Sequence, residues 1–471
     1  MDPVVTVAPS REDPFVERLS AAVGGPAGDH RAPGRSGWWT AVRVLIAVAM
    51  VALALGVVEK QHCRAQGWTT PDQFFHACYS DLPIVYQSAG LADGVTPYVD
   101  AADGGYLAQP VLTGLAMWAV AQVVPDGTQP QQARWYFDLS TLLIAVLLAV
   151  LVWCVLRSAG RRRPWDAAIV AASPLVALSA LVSLDLLGVT LAAAGLLAWA
   201  RRRPLLAGVL LGLATTARTY PAVLLVVLGL LALRAGQVRV WARTLAAAAV
   251  TVAAVLLPWL VLNRDGVTSV YHGWADSPAG YGSLWLLPQT LLADPRPRWV
   301  QSLGLGPTSL SAGAATTLAV LGLALALVAG LLLALAGTRR PRVAQVAFVV
   351  LAIVVVTGKA WPVQGSLWLL PLAALAHPRW RDQVVWLATE VVYFVAVWLY
   401  VAAASDSDRA LPPAWYAAVS LLRVLGLAWL VWCVVRDVLR PELDVVRADG
   451  TDDPLGGPLE DAGDALLVRF G

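Results

Sequence analysis

Residues 201–239, RRRPLLAGVLLGLATTARTYPAVLLVVLGLLALRAGQVR, decide how this chain is folded. An apolar stretch separates Arg201–Arg203 from Arg234 and Arg239, and the polar turn from Thr215 to Pro221 interrupts it. Read as one membrane span, it would put the two arginine groups on opposite sides and push the later arginine clusters outward. Read as two short spans, 204–217 and 221–233, it keeps both groups on one side. Basic residues concentrate in cytoplasmic loops, so the hairpin reading is the one the arginines support.

The composition explains why a membrane enters at all. Of 471 residues, 58% are hydrophobic and only 14% charged, against about 45–50% and about 25% in soluble proteins. So few charges cannot cover the surface of a soluble protein this large, and the apolar excess must face lipid. The net charge is only +3, and the arginines fall in short, spaced clusters and not on one basic face, which excludes a nucleic-acid partner. Most of the 21 tryptophans lie near the ends of apolar runs, as an interfacial belt does.

Outward from the hairpin, apolar runs lie near 38–58, 135–156, 166–184, 186–200, 241–262, 310–336, 343–358, 366–377, 384–404 and 415–436. With the hairpin they amount to about twelve spans, an all-α integral membrane domain over 38–437 with both termini cytoplasmic in the cell membrane. Arg157, Arg161–Arg163, Arg339, Arg340, Arg342, Arg379, Arg381, Arg436 and Arg440 then all fall inside. Segment 1–37 is polar and rich in Pro, Gly and Arg, and reads as disordered. The tail 438–471, with Asp449, Asp452, Asp453, Asp461 and Asp464, reads as soluble and mobile. Residues 59–134 form a large first extracytoplasmic loop. Within it, 107–125 is apolar, but a crossing there would invert everything downstream, so it is expected to dip into or lie on the outer leaflet.

The outer loop and the turns between short spans hold the candidate chemistry. Cys63 and Cys78 either form a disulfide, closing a loop of about 15 residues and contributing about 3 kcal/mol, or stay as free thiols. Asp81 follows Cys78-Tyr79-Ser80 and is either a desolvated general base among aromatics or the N-cap of a helix carrying Pro83. Arg218 and Lys359 each tip a broken hairpin, where a cation either holds a lipid phosphate or snorkels to the interface. Asp185 is a site residue or a polar turn residue. Glu390 and Arg423, inside the last two spans, are expected to pair. No histidine has metal-ligand spacing to another histidine or a carboxylate, so neither metal nor cofactor is expected.

These positions resemble a known pattern. His76-Ala77-Cys78-Tyr79-Ser80-Asp81-Leu82-Pro83, Gly94 to Pro97-Tyr98, Pro110 to Gly114, Trp135 to Asp138, Asp185-Leu186-Leu187, Arg218-Thr219-Tyr220-Pro221, Gly282 to Trp285, and Lys359 through Gln364 to Pro371 carry the likeness. Their order resembles the GT-C class of glycosyltransferases, and more closely an actinobacterial branch of glycosyltransferase family 87. The resemblance implies an inverting hexosyltransferase that moves a sugar, mannose by the family's habit, from a polyprenyl-phosphate donor to a cell-envelope glycolipid or glycan. It implies Asp81 as catalytic base, Arg218 and Lys359 on the donor phosphate, and Asp185, Tyr79 and Gln364 on sugar or acceptor. The chain departs from that branch at Ala108-Gln109, Ser183, Ser277-Pro278, Gly280 and Pro362-Val363. Those departures frame the alternative, a non-catalytic lipid-binding or scaffolding protein of envelope biogenesis.

Overall fold

The computed structural model describes residues 6–24, 37–102, 105–293, 298–304, 308–335, 337, 339–406, 408–448 and 452–466. Among them the chain is helical, with one isolated bridge between Ala102 and Gly105. Six helices are long and apolar enough to cross a membrane: Ala41–Glu59, Gln129–Ser158, Val238–Leu262, Ala312–Leu335, Trp380–Ala404 and Pro413–Leu439. Their exposed faces are apolar. Val238–Leu262 has only 6% of its apolar window buried, and Val250, Leu257 and Val261 are open. A surface like that is stable only against lipid, and the chain is a multi-pass membrane protein.

The remaining apolar runs form shorter helices, Val111–Ala121, Asp185–Ala200, Pro204–Ala217, Pro221–Arg234, Val343–Val356 and Val363–Ala376. Six of the runs expected as spans are thus long helices, and five are short ones. The twelfth, 166–184, is no single helix: it divides into Pro164–Ala167, Ala168–Ala171 and Pro174–Ser179. Ser173 caps the third piece by accepting the Leu175 N–H at 3.2 Å, and Pro174 follows at its first position, where a missing N–H costs nothing. Val111–Ala121 is also short. At 1.5 Å per residue its eleven residues span about 16 Å, half a hydrocarbon core.

Pro204–Ala217 and Pro221–Arg234 are two helices joined at Arg218–Tyr220. The first packs on Val238–Leu262 through Gly208 and Gly212, one turn apart. A Cβ on Gly208 would lie 2.2 Å from the Thr244 carbonyl oxygen, so only glycine lets the two backbones approach this closely.

The tails depart from expectation. Pro9–Glu12 and Pro14–Gly24 are helical within the segment expected to be disordered; much of its remainder lies outside the described residues. The acidic tail, expected to be mobile, lies against the arginines. Asp444 takes two hydrogen bonds from Arg342, at 2.7 and 3.0 Å. Asp452 pairs with Arg339, Asp464 with Arg234 and Asp461 with Arg202. Arg342 and Arg234 are buried, and buried guanidinium groups require such partners.

Candidate functional site

The site is built from the connection that follows Ala41–Glu59. Helix Gln61–Gln66 ends at Gly67 in the left-handed conformation. Cys63 is then joined to Cys78 by a disulfide with Cα atoms 5.7 Å apart. Two residues later Ser80 caps helix Asp81–Ser88, accepting the Leu82 N–H at 3.3 Å and donating to the Leu181 carbonyl at 2.7 Å. The Asp81 N–H reaches the Val182 carbonyl at 2.7 Å. Capping therefore falls to Ser80, and the Asp81 carboxylate is left free for another role in the first turn, where the helix end favours negative charge.

That carboxylate accepts a hydrogen bond from the Tyr79 hydroxyl at 2.7 Å and opens on a cavity of about 240 Å³. The walls are mostly aromatic and aliphatic, Phe74, Tyr79, Val182, Tyr281, Tyr393 and Trp398 among them, and Gln364 adds an amide. Tyr79 stacks on Phe74 and lies tilted against Trp398, with ring centroids 5.6 and 4.8 Å away. Burial pushes the Asp81 carboxyl above the usual carboxylate range; the Tyr79 hydrogen bond opposes this, the charge of Asp185 adds to it and that of Arg218 opposes it. Burial likewise raises the Tyr79 phenol, which stays protonated and able to donate. A desolvated carboxylate facing an aromatic-lined cavity can accept a proton from a bound hydroxyl.

Asp185 and Arg218 lie close enough to act on Asp81 through their charges, yet they do not line the cavity. Arg218 directs Nε (2.9 Å) and Nη2 onto Asp185 Oδ1, and Nη1 onto Gln109 Oε1 at 2.8 Å. Asp185 also accepts from Ser183 Oγ at 2.7 Å and from Trp368 Nε1 at 2.6 Å. Its oxygens are committed to the protein, so it holds Arg218 in place where direct sugar or acceptor contact was expected. Gln109 and Ser183 belong to this same network.

Lys359 is placed elsewhere. It is 2% exposed, and Nζ donates to the carbonyls of Trp274 (2.8 Å) and Ala275 (3.0 Å) and to Thr316 Oγ1 (2.8 Å). Those three bonds use its three protons. The structure therefore brings Asp81, Tyr79 and Gln364 together at one cavity and sets Asp185 and Arg218 behind them. Lys359, expected beside Arg218 on a phosphate, is spent on joining the segment 274–275 to the helix Ala312–Leu335.

Sequence reasoning missed the residues that shape the cavity. Arg423 pairs with Glu390 at 2.9 Å, as the two positions suggest. It also donates to the Trp361 and Pro362 carbonyls at 2.5 and 3.2 Å, and so fixes the turn that carries Gln364. Tyr393, Val397 and Val401 recur at i, i+4 and i+8 on one helix face, a signal that reads equally well as plain packing. Local spacing also gives no sign of one polar cluster in the outer loop. His62, Asp72 and His76 converge, because Asp72 and His76 are four residues apart on one face and the disulfide draws His62 to them.

No curated protein matches this chain. The model of glycosyltransferase family 87 matches residues 119–361, just over half of it. The matched stretch contains Asp185, Arg218 and Lys359, while Tyr79, Asp81 and Gln364 lie beyond its ends. With half its length so matched on an all-helical membrane scaffold, the chain belongs to glycosyltransferase family 87.

Proposed function

We propose that this protein transfers a sugar, mannose by preference, from a polyprenyl-phosphate donor to a cell-envelope glycolipid or glycan at the outer face of the cell membrane. Asp81 takes the proton of the acceptor hydroxyl. The acceptor oxygen forms a bond to the anomeric carbon from the side opposite the phosphate. The bond from that carbon to the phosphate oxygen breaks, and polyprenyl phosphate leaves with the electron pair, so the configuration inverts. A phosphate leaves without needing a proton, and its charge is met by Arg218. Tyr79 orients the base, and Gln364 hydrogen-bonds sugar or acceptor. No cofactor takes part. Lys359 has no role in this scheme.

The observation that carries the reading is the half-buried Asp81 carboxylate, held by Tyr79 and open to a cavity with aromatic walls. A general base contributes about 10²–10⁴-fold to a rate. In proteoliposomes given labelled polyprenyl-phosphate mannose and envelope lipids as acceptors, Asp81→Asn is expected to lose transfer by that factor while retaining donor binding. Undiminished transfer by Asp81→Asn would remove the base. The alternative, a non-catalytic lipid-binding protein, draws support from Arg218, whose charge is already matched by Asp185. Donor binding by wild-type protein with no turnover of any polyprenyl-phosphate sugar would favour it.

A further inference from the structure

The turn leading to Asp81 carries three side chains that the transfer scheme leaves unused. His62, Asp72 and His76 each offer a ligand atom, all within 4.8 Å of one another. His62 Nε2 lies 2.5 Å from Asp72 Oδ2, and His76 Nδ1 lies 3.1 Å from Asp72 Oδ1. The two imidazole rings stack with centroids 3.6 Å apart at 17°, so the His76 ring must turn from the Asp72 backbone carbonyl that its Nδ1 also meets at 3.1 Å for both rings to aim a nitrogen at one ion. Covalent structure holds this arrangement. His62 adjoins Cys63, His76 is two residues before Cys78, and the disulfide ties those cysteines together. The helix Asp72–Phe75 sets Asp72 and His76 one turn apart.

Two imidazoles beside a carboxylate are the donor set of a borderline divalent transition ion, whereas magnesium and calcium favour all-oxygen sites. The three side chains are 38%, 39% and 47% exposed, which leaves an entry path and room for water in the remaining positions.

We propose that His62, Asp72 and His76 form a binding site for a zinc-class divalent cation, braced by the Cys63–Cys78 disulfide. Phe74 stands between Asp72 and His76 in sequence, lines the Asp81 cavity and stacks on Tyr79. An ion bound by Asp72 and His76 fixes that turn, and through Phe74 it fixes the cavity wall against which Tyr79 holds Asp81. The site stands on its own geometry and does not depend on the transfer reaction.

The test uses untagged full-length protein in lipid nanodiscs, stripped with chelator and titrated with Zn²⁺ by calorimetry and with Co²⁺ by absorption spectroscopy. One Zn²⁺ per chain is expected, with nitrogen- and oxygen-ligand d–d bands for Co²⁺ and a melting temperature that rises with Zn²⁺. His62→Ala/His76→Ala is expected to abolish binding, and Asp72→Asn to weaken it about tenfold or more, with metal-free melting unchanged. No stoichiometric binding by wild-type protein would overturn the proposal, as would Zn²⁺ retained by the double variant. The cobalt spectrum decides even where a variant fails to fold. Thiolate-to-cobalt charge transfer would place the ion at the buried His377, Asp382 and Cys433 group and overturn the proposal equally.

Discussion

Two hairpin turns of this molecule look alike in sequence and differ in what their cations can still do. Arg218 sits between Pro204–Ala217 and Pro221–Arg234, and Lys359 between Val343–Val356 and the 3-10 turn Val363–Gly365. Each turn offers one positive charge between short apolar helices. A guanidinium has five N–H groups in a planar fork and an ammonium has three on a point. Arg218 commits its donors to Asp185 and Gln109 from three nitrogens, keeps protons in reserve and is 13% exposed. Lys359 commits all three protons, two of them to backbone carbonyls about 85 residues earlier in the chain. The availability of a buried cation is thus set by its acceptors, which a count of charges leaves out.

The largest expected effect is at the first turn. Arg218→Gln should lower transfer about 10²–10³-fold, the usual consequence of removing one donor to a developing anion. It should also destabilise the fold by about 3–5 kcal/mol, because Asp185 is left buried without its partner. Arg218→Lys keeps the charge and loses the fork, and should recover stability more than rate. Initial rates in proteoliposomes and denaturation midpoints separate the two quantities; wild-type rates in Arg218→Gln would end the distinction between the turns. At the second turn, Lys359→Met should leave the rate within about threefold below its melting temperature and cost about 2–4 kcal/mol, from lost charge-assisted hydrogen bonds. Loss of transfer in a Lys359→Met protein that melts normally would give Lys359 back a direct role.

The same contrast marks how much was legible in the sequence. Hairpins appear in it because Pro204, Pro221 and the polar turn interrupt apolar runs, and those signals are local. Asp81 was legible as a residue of interest, since a carboxylate beside Tyr79 in a polar loop stands out; that Ser80 does the capping was not, since both types cap helices equally well. The break inside 166–184 had a signal, Ser173-Pro174, that apolar content outweighed. The tail acids have one cation close in sequence, Arg447, which meets Asp444 and Asp452, yet their other partners Arg202, Arg234, Arg339 and Arg342 lie 100 to 260 residues away. Long-range pairing of this kind is invisible to a reading by windows.

The smallest expected effect gives the sharpest test of which groups belong to the site. With Asp81 as the proposed base, transfer requires it deprotonated, so the rate should rise with pH through its pKa, which burial holds above the ordinary carboxylate value. The Tyr79 hydrogen bond stabilises the charged form and lowers that pKa. Tyr79→Phe removes it, so the acidic limb of the pH–rate profile should move to higher pH while the plateau at high pH changes little. Arg218 also lowers the Asp81 pKa through its charge, and Arg218→Gln should move the limb in the same direction on a lower plateau. Lys359 is not among the groups that act on Asp81, and Lys359→Met should leave the limb where it is. Profiles of the three variants, normalised to their plateaus, read this order directly. A limb that moves as far in Lys359→Met as in Arg218→Gln would mean that both cations act on one carboxylate, and the two turns would be alike after all.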